Sequence, residues 1–334
     1  MKLSLLSCII NYNVKKSKKP VYTNTQSGIL LCIEHRNIKG EDFMEKKVYA
    51  QVYSLLKTQR DGILTALGNL SAIGYDGVEL MGTLTDGVSL DTFKRVLADL
   101  KLDVISSHGL RDEHDFAWAA EVGARYTDIR MAEHSVDKDT VLRACEQLNK
   151  DAELRKKFGL KSVIHNHANE LFWVDHKEGT ERVYDLLLQN TDPTLVGFEF
   201  DVGWGARAGV DVVEYVKKYA GRFPLIHVKE CNAVGKTEEE MEHFPKKVLD
   251  LGAPKMIHGT PYFNEQQVAM LEASRVWNVK LGTGLIDWKA LIAACEAQGT
   301  VAYINERECH NIEGVYKANV LQCAQQDYEF LRSL

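Results

Sequence analysis

The feature that most constrains the fold is an alternation of short apolar runs with amphipathic stretches, which begins at Val48 and continues to the C-terminus. This alternation is typical of repeated βα units built around a parallel sheet. Eight runs are predicted to be strands: Val48-Tyr53, Gly77-Leu80, Asp103-Ser107, Tyr126-Arg130, Ser162-His165, Gly197-Asp201, Leu225-Lys229 and Ala302-Glu306. Eight strands with helical crossovers favour a closed, parallel (β/α)8 TIM barrel. A doubly wound sheet is the alternative, but no G-x-G-x-x-G follows the first strand, so a dinucleotide site has little support.

Two segments depart from this alternation of strand and helix patterns. Residues 1–43 include the basic, turn-rich stretch "NVKKSKKPVYTNTQSG", and we interpret them as a flexible or artefactual extension, with Met44 as a candidate natural start. A peripheral strand at Ile29 to Ile33 is the alternative. Residues 44–334 are then one barrel domain, with a long insertion at 231–280 after the seventh strand. Connections of such length are usually functional, so a lid and an oligomer contact are both open.

Composition narrows the class of protein. The chain is 45% hydrophobic and 26% charged, and it has no apolar run of the roughly 18 residues that a membrane span needs. A net charge of -6 gives no general attraction for nucleic acid, which favours small-molecule partners. The seven cysteines form no C-x-x-C pair, which indicates reduced thiols and a cytoplasmic protein.

Polar residues close seven of the eight predicted strands. In a TIM barrel the active site lies where the C-terminal ends of the strands meet. Each group alone could cap a helix or be a satisfied core histidine. Together they would repel one another or stay unpaired unless a cation lay among them. The strand-end residues are Glu79, His108, Arg130, His165, Asp201, His227 with Lys229, and Glu306.

Four of these residues form a candidate metal site. His165, Asp201, His227 and Glu306 offer two imidazoles and two carboxylates from consecutive strands. A mixed nitrogen and oxygen set suits Mn2+, Zn2+, Co2+ or Fe2+, and it suits Ca2+ less because Ca2+ favours oxygen alone. Mg2+ is a further candidate. The prediction depends on the barrel, since the four residues are far apart in the chain.

Several segments resemble a known family. They are "IGYDGVEL", "HNHANEL", "VGFEFDVGWGARAGVDVVEYVKKYAGRFPLIHVKE", "GTGLIDWKALI" and "YINERE". They resemble the sugar phosphate isomerase/epimerase family, the xylose isomerase-like TIM barrels of the AP endonuclease family 2 superfamily. The resemblance implies one catalytic divalent metal, Mn2+ or a substitute, held in many members by Glu, Asp, His and Glu. The last three of these match Asp201, His227 and Glu306.

Two positions depart from the pattern of that family. His165 stands where many relatives have a glutamate. In this respect the chain resembles a subgroup whose strand ends in H-N-H. Because the two-glutamate epimerases use both carboxylates to move a proton, this change puts simple ketose 3-epimerisation in doubt. Thr283, in "LGTGLIDW", stands where the glutamate of a Gly-Glu-Gly would be expected in relatives. No phosphate-binding loop is visible, so a neutral sugar or inositol derivative is the expected substrate.

The resemblance leads to a mechanistic hypothesis. A metal would withdraw charge from a sugar carbonyl, and a base would then remove the neighbouring proton. Glu306 is the leading base, and Lys229 could orient an oxygen or neutralise the intermediate. The candidates for the acid are His167, Glu170, Glu79 and His108. Predicted substrate contacts are Glu79, His108, Arg130 and Trp204. Structural hydrogen bonding is the alternative for Glu79 and His108, and a core position is the alternative for Trp204.

The sequence therefore predicts a divalent-metal-dependent sugar isomerase or epimerase. The alternative is a lyase that cleaves a 3-keto-glycoside by β-elimination after the same proton abstraction. An abasic-site endonuclease is less favoured because it would need more ligands and a basic groove. A metal-binding protein without turnover is also less favoured. A homo-oligomer is open.

Overall fold

The structure is a computed structural model that describes residues 24–25, 28–29, 46–56, 62–241, 248, 250–257, 260–310 and 320–334. The chain divides into two units, residues 1–41 and 42–334. In the first unit, Asn24–Thr25 pairs with Gly28–Ile29 in an antiparallel arrangement. The rest of the predicted extension, including residues 30–33 of the alternative strand, lies outside the described residues.

The second unit contains a closed barrel of eight parallel strands, which confirms the predicted (β/α)8 TIM barrel. The strands pair in chain order, and β8 closes the ring by pairing with β1. They are β1 Val48–Gln51, β2 Gly77–Met81, β3 Asp103–His108, β4 Tyr126–Asp128, β5 Lys161–His165, β6 Val196–Asp201, β7 Leu225–Val228 and β8 Ala302–Asn305. The predicted first strand was too long, because a short helix, Tyr53–Leu56, already begins at Tyr53.

Each strand is followed, directly or after shorter helices such as Val202–Arg207, by one main helix that packs on the outside of the barrel. These are α1 Ile63–Ile73, α2 Leu90–Asp99, α3 Glu113–Glu121, α4 Lys138–Lys156, α5 Val183–Asn190, α6 Val212–Lys218, α7 Trp288–Gln298 and α8 Val320–Ser333. Side-chain caps such as Ser89 and Asp137 accept hydrogen bonds from free backbone N–H groups at the helix starts. Gly74 and Gly299 end α1 and α7 in the left-handed conformation, which glycine adopts without a steric penalty.

Two apolar clusters fill the domain, as expected for a TIM barrel. The larger lies between the strands and the surrounding helices. The smaller fills the barrel interior with inward-pointing side chains from six of the strands. Its members are Tyr49, Ile105, Tyr126, Val163, Leu225, Ala302 and Ile304. The polar residues of the candidate site lie above this plug, at the C-terminal ends of the strands.

The insertion after β7 has secondary structure of its own. It contains a helical turn Glu238–Met241, an antiparallel pair of strands and the insertion helix Glu265–Ser274; the two strands are Lys255–Ile257 and Thr260–Tyr262. Its last part is packed into the domain, because Trp277 contacts Trp204 with ring centroids 4.6 Å apart. Whether the insertion acts as a lid or an oligomer contact stays a prediction.

Two further findings concern the class of protein. Among the described residues, no helix is both long enough and apolar enough to cross a membrane. The cysteines at positions 145, 231, 295, 309 and 323 are buried and form no disulfide.

Candidate metal centre and active site

The end of β6 shows how local sequence aims a functional carboxylate. In "FEFD", Phe198 and Phe200 point outward into the core, so Glu199 and Asp201 share the inward face. Asp201 also caps the following short helix, because its Oδ1 accepts a hydrogen bond from the backbone N of Trp204 at 2.9 Å. Its Oδ2 is left to face the barrel axis. Asp201 therefore caps a helix with one oxygen and presents the other to the candidate site, so the two interpretations of this residue are compatible.

Glycine at position 203 allows a close approach between this segment and β7. A Cβ built on Gly203 would lie 2.6 Å from both Cβ and Cγ of Lys229. Any larger residue would push Lys229 away from the strand ends. The "DVGWG" segment is therefore constrained by packing as well as by chemistry.

The four predicted metal-binding residues converge on one point. We call them the upper tetrad: His165, Asp201, His227 and Glu306. Each offers a ligand atom within 4.8 Å of the others. His227 Nδ1 lies 3.0 Å from His165 Nε2 and 3.0 Å from Glu306 Oε2. Asp201 Oδ2 lies 3.6 Å from His165 Nε2. Three of the side chains are at most 9% exposed and His165 is 11% exposed, so the group is nearly dry.

A second group lies on the other side of the His227 ring. We call Glu79, His108 and Glu199 the lower layer, because Glu199 precedes Asp201 by two residues along β6 and lies deeper in the barrel. His108 Nε2 is 2.6 Å from Glu199 Oε2 and 3.1 Å from Glu79 Oε2. His227 Nε2 is 2.8 Å from Glu79 Oε1. Ser106 Oγ donates a further hydrogen bond to Glu79.

The lower layer fixes the orientation of His227. If Nε2–H donates to Glu79, then Nδ1 is the ring nitrogen that faces the upper tetrad. Histidines that bind metals usually donate their other N–H to a carboxylate in this way. Glu79 therefore supports His227, and any contact of Glu79 or His108 with a substrate stays a prediction.

Burial and neighbouring charges shift the pKa values of these groups in opposite directions. Burial would lower the pKa of His227, but the carboxylates of Glu199 and Glu79 raise it well above its usual value. The pKa of His108 is raised well above its usual value for the same reason. Burial would raise the pKa of Glu79, but the two imidazoles hold it well below its usual range. Alternating positive and negative groups thus stabilise one another inside the barrel.

Lys229 adds a fixed positive charge beside the upper tetrad. Its ammonium lies 2.9 Å from Asp201 Oδ2 and 3.0 Å from Glu306 Oε2, and its side chain is 1% exposed. Burial would lower the pKa of Lys229, but the surrounding carboxylates raise it above its usual value. In turn, Lys229 and His227 hold the pKa of Glu306 well below its usual range, although burial acts in the opposite direction. Glu306 is therefore ionised at neutral pH.

The chemistry of the donor set fits a divalent ion. Asp201 Oδ2 is fully buried, and it lies 2.9 Å from the Lys229 ammonium and 3.6 Å from His165 Nε2. Buried carboxylates are stable when cationic groups or metal ions neutralise them. Two imidazole nitrogens and two carboxylates then complete a set suited to Mn2+ or Zn2+.

The other predicted site residues take different positions. The His167 ring packs edge-on against His165, with centroids 4.9 Å apart. Glu170 accepts a hydrogen bond from the backbone N of His167 at 2.8 Å and lies 3.2 Å from Nδ1 of His134. This contact raises the pKa of His134 above its usual value, although burial partly opposes it. Glu170 is thus engaged on both oxygens.

Two predicted substrate contacts lie away from the upper tetrad. Trp204 is 1% exposed and packs against Trp277 and His167, which favours the core alternative. The Arg130 side chain is 73% exposed and pairs with Asp128 at 3.1 Å. Substrate roles for both residues stay predictions.

Sequence reasoning missed three charged residues of this region. Glu199 could have been found from the two-residue period of "FEFD", which places it on the same face as Asp201. Glu308 follows Glu306 by two residues in "NERE". Arg275 carries no signal in the sequence, because the insertion brings it to the site from outside the barrel repeats.

No protein-family model matches the chain. An inosose dehydratase of Clostridium perfringens is 32% identical over 108 residues, which is 32% of this chain and 34% of that protein. An inosose dehydratase of Halalkalibacterium halodurans is 24% identical over 55% of this chain and 67% of that protein. The match thus spans only about a third of the length of the first of these relatives.

Solved structures cover more of the chain. A sugar phosphate isomerase/epimerase of Parabacteroides distasonis matches with a TM-score of 0.62 and 20% identity, over 90% of this chain and 98% of that one. The protein has the fold of the xylose isomerase-like TIM barrels. The predicted resemblance is confirmed at the level of the fold. An IolI protein with a bound zinc atom matches with a TM-score of 0.60 and 14% identity, over 86% of this chain and 98% of that one.

Proposed function

We propose that this protein is a metal-dependent lyase that acts on a keto derivative of a sugar or cyclitol. It would remove the proton next to the carbonyl and expel a substituent from the neighbouring carbon. The observation that carries the proposal is the convergence of the upper tetrad and Lys229 at the mouth of the barrel. The relatives named inosose dehydratase favour elimination over the isomerisation that the sequence first predicts.

The proposed cofactor is one divalent ion in the upper tetrad, with Mn2+ as the first candidate and Zn2+ as the alternative that the zinc-bound IolI structure supports. When bound, such an ion would act as a Lewis acid toward the carbonyl oxygen of the substrate. The remaining chemistry belongs to the side chains.

Glu306 is the proposed base. Its carboxylate is held ionised beside Lys229, so it can accept a proton from the carbon next to the carbonyl. The Lys229 ammonium would stabilise the negative charge that develops on the substrate oxygen. His167 is the proposed acid that protonates the leaving group, because its ring contacts His165 at the edge of the upper tetrad. Glu170 would position this segment rather than carry the proton.

A sugar isomerase or epimerase is the second candidate. The Parabacteroides structure and an L-ribulose 3-epimerase structure with a TM-score of 0.57 and 16% identity share the fold. Proton abstraction by Glu306 would be common to both reactions, and the fate of the intermediate would separate them. A cytoplasmic location and a homo-oligomer stay predictions.

One experiment tests the proposal and separates the two candidates. Metal-loaded protein would be incubated in D2O with inososes, 3-keto-glycosides and simple ketoses, and followed by NMR and mass spectrometry. A lyase releases water or an aglycone, so the carbohydrate product loses mass, whereas an isomerase conserves mass. Deuterium entering the carbon next to the carbonyl supports the shared first step. Absence of exchange and turnover across all three classes would contradict both candidates.

A further inference from the structure

A chain of buried charges connects the upper tetrad to the insertion. The Lys229 ammonium lies 2.9 Å from Glu308 Oε2, in addition to its contacts with Asp201 and Glu306. The other oxygen of Glu308 lies 3.0 Å from a guanidinium nitrogen of Arg275. Lys229, Glu308 and Arg275 are at most 1% exposed. Water cannot screen these charges, so each one strongly affects its neighbours.

Lys229 contacts the same oxygen atoms that face the centre of the upper tetrad. Asp201 Oδ2 lies 3.6 Å from His165 Nε2 and 2.9 Å from the ammonium. Glu306 Oε2 lies 3.0 Å from His227 Nδ1 and 3.0 Å from the ammonium. A divalent ion in the tetrad and the Lys229 ammonium would therefore compete for these two carboxylates. The third carboxylate, Glu308, is where the ammonium can stay when an ion is bound.

Glu308 is held in place from the insertion side. The Asn278 side-chain oxygen accepts a hydrogen bond from the backbone N of Glu308 at 2.6 Å. The Asn278 amide nitrogen donates to the backbone oxygen of Glu230 at 2.9 Å. Arg275 follows the insertion helix directly, so the end of the insertion supplies both the charge and the backbone support of Glu308.

We propose that Arg275 and Glu308 are positioning residues that set where the Lys229 ammonium lies and thereby set the affinity of the upper tetrad for a divalent cation. Glu308 draws the ammonium away from Asp201 and Glu306. Arg275 partly neutralises Glu308 and so limits this pull. The proposal rests on the metal centre proposed above, and it gives the insertion a role behind the site.

The test is a titration of Mn2+ into chelator-treated, full-length protein and its variants. Glu308→Gln leaves the ammonium to Asp201 and Glu306 alone, so the Mn2+ dissociation constant should rise by about tenfold or more. Arg275→Gln removes a positive charge 3.0 Å from Glu308, so Glu308 should attract the Lys229 ammonium more strongly and the dissociation constant should fall by about threefold. Arg275→Lys keeps the charge and should stay near the wild-type value.

The double variant Arg275→Gln/Glu308→Gln shows whether Arg275 acts through Glu308. Once Glu308 is neutral, Arg275→Gln should change the dissociation constant no further, which is the non-additivity expected of directly coupled residues. This variant also removes both buried charges together, so it covers the case in which Glu308→Gln alone fails to fold. Asp327→Asn is the matched control, because it breaks another buried pair, Arg307 with Asp327 at 3.3 Å, that does not contact Lys229.

The signs of the changes decide the outcome. Opposite effects of Glu308→Gln and Arg275→Gln, with no effect of Asp327→Asn, would support the proposal. The proposal would be overturned if Mn2+ binding were weakened equally in all three variants. It would also be overturned if Arg275→Gln still changed the Mn2+ dissociation constant in the Glu308→Gln background. Neither result would contradict the metal centre itself. A wild-type protein that binds no divalent ion would overturn the metal centre and this proposal together.

Discussion

The upper tetrad and the lower layer share His227 but differ in spacing, and the difference indicates which of them suits an ion. Ligands that surround a tetrahedral ion at about 2.1 Å lie roughly 3.4 Å from one another. Contacts in the upper tetrad range from 3.0 Å to 3.9 Å. In the lower layer, the contacts of His108 and His227 with Glu79 and Glu199 range from 2.6 to 3.4 Å, and three of these four are hydrogen-bond distances of 3.1 Å or less. The wider spacing favours the upper tetrad as the proposed metal site, and the shorter contacts favour a supporting role for the lower layer.

The strongest test of this comparison is Asp201→Asn in the upper tetrad. The amide keeps the shape but removes a charged ligand, so metal retention should be lost and turnover should fall by roughly a thousandfold or more. Metal analysis and kinetics measure the two effects, and circular dichroism should show a retained fold. Asp103→Asn, at the opposite end of β3, is the control and should retain metal. Full metal content in Asp201→Asn would remove this residue from the site.

Removing the metal should lower stability, because an ion that binds only the folded state stabilises it. At a free concentration of about 100 times the dissociation constant, the gain in the free energy of unfolding is roughly 2.7 kcal/mol. Thermal melts with a chelator and after addition of Mn2+ would measure the shift. The same melts on Asp201→Asn should show no response to Mn2+. A response there would mean that the ion binds elsewhere.

A smaller effect is expected from Glu199→Gln in the lower layer. The variant weakens the hydrogen bond to His108 and the electrostatic support of His227 without removing a tetrad ligand. The protein should still bind one ion, with an affinity reduced by about 10- to 100-fold. Titration with Mn2+ measures the affinity. Complete loss of binding would show that the lower layer itself contributes ligands.

The smallest effect concerns Asp327, a buried carboxylate outside both groups. Burial raises its pKa to about 6, although Arg307 opposes the shift. The folded protein therefore binds this proton more tightly than the unfolded chain does. The carboxyl favours folding most below about pH 4, and that contribution is lost as the pH rises through about 6. Relative to Asp327→Asn, the wild type should lose on the order of 1 to 2 kcal/mol between pH 5 and 7.5. Urea unfolding measures this difference, and a constant difference across that range would contradict the shift.

The sequence by itself was enough to predict the barrel and the tetrad. Apolar runs such as that in β1 need burial on both faces, and eight such strands with helical crossovers close into one ring. Closure then brings the last polar residue of each strand to the same mouth, which is why His165, Asp201, His227 and Glu306 could be grouped although they are far apart in the chain.

Only the tertiary structure decided which strand-end groups act together. Arg130 also ends a predicted strand, yet its long side chain reaches solvent and pairs with Asp128. Glu199 lies within a strand and looked like part of an apolar run, while Arg275 comes from an irregular insertion with no repeat to place it. Periodicity fixes which face of a strand a residue occupies. Side-chain direction and contacts between distant segments depend on packing, and packing is a property of the whole fold.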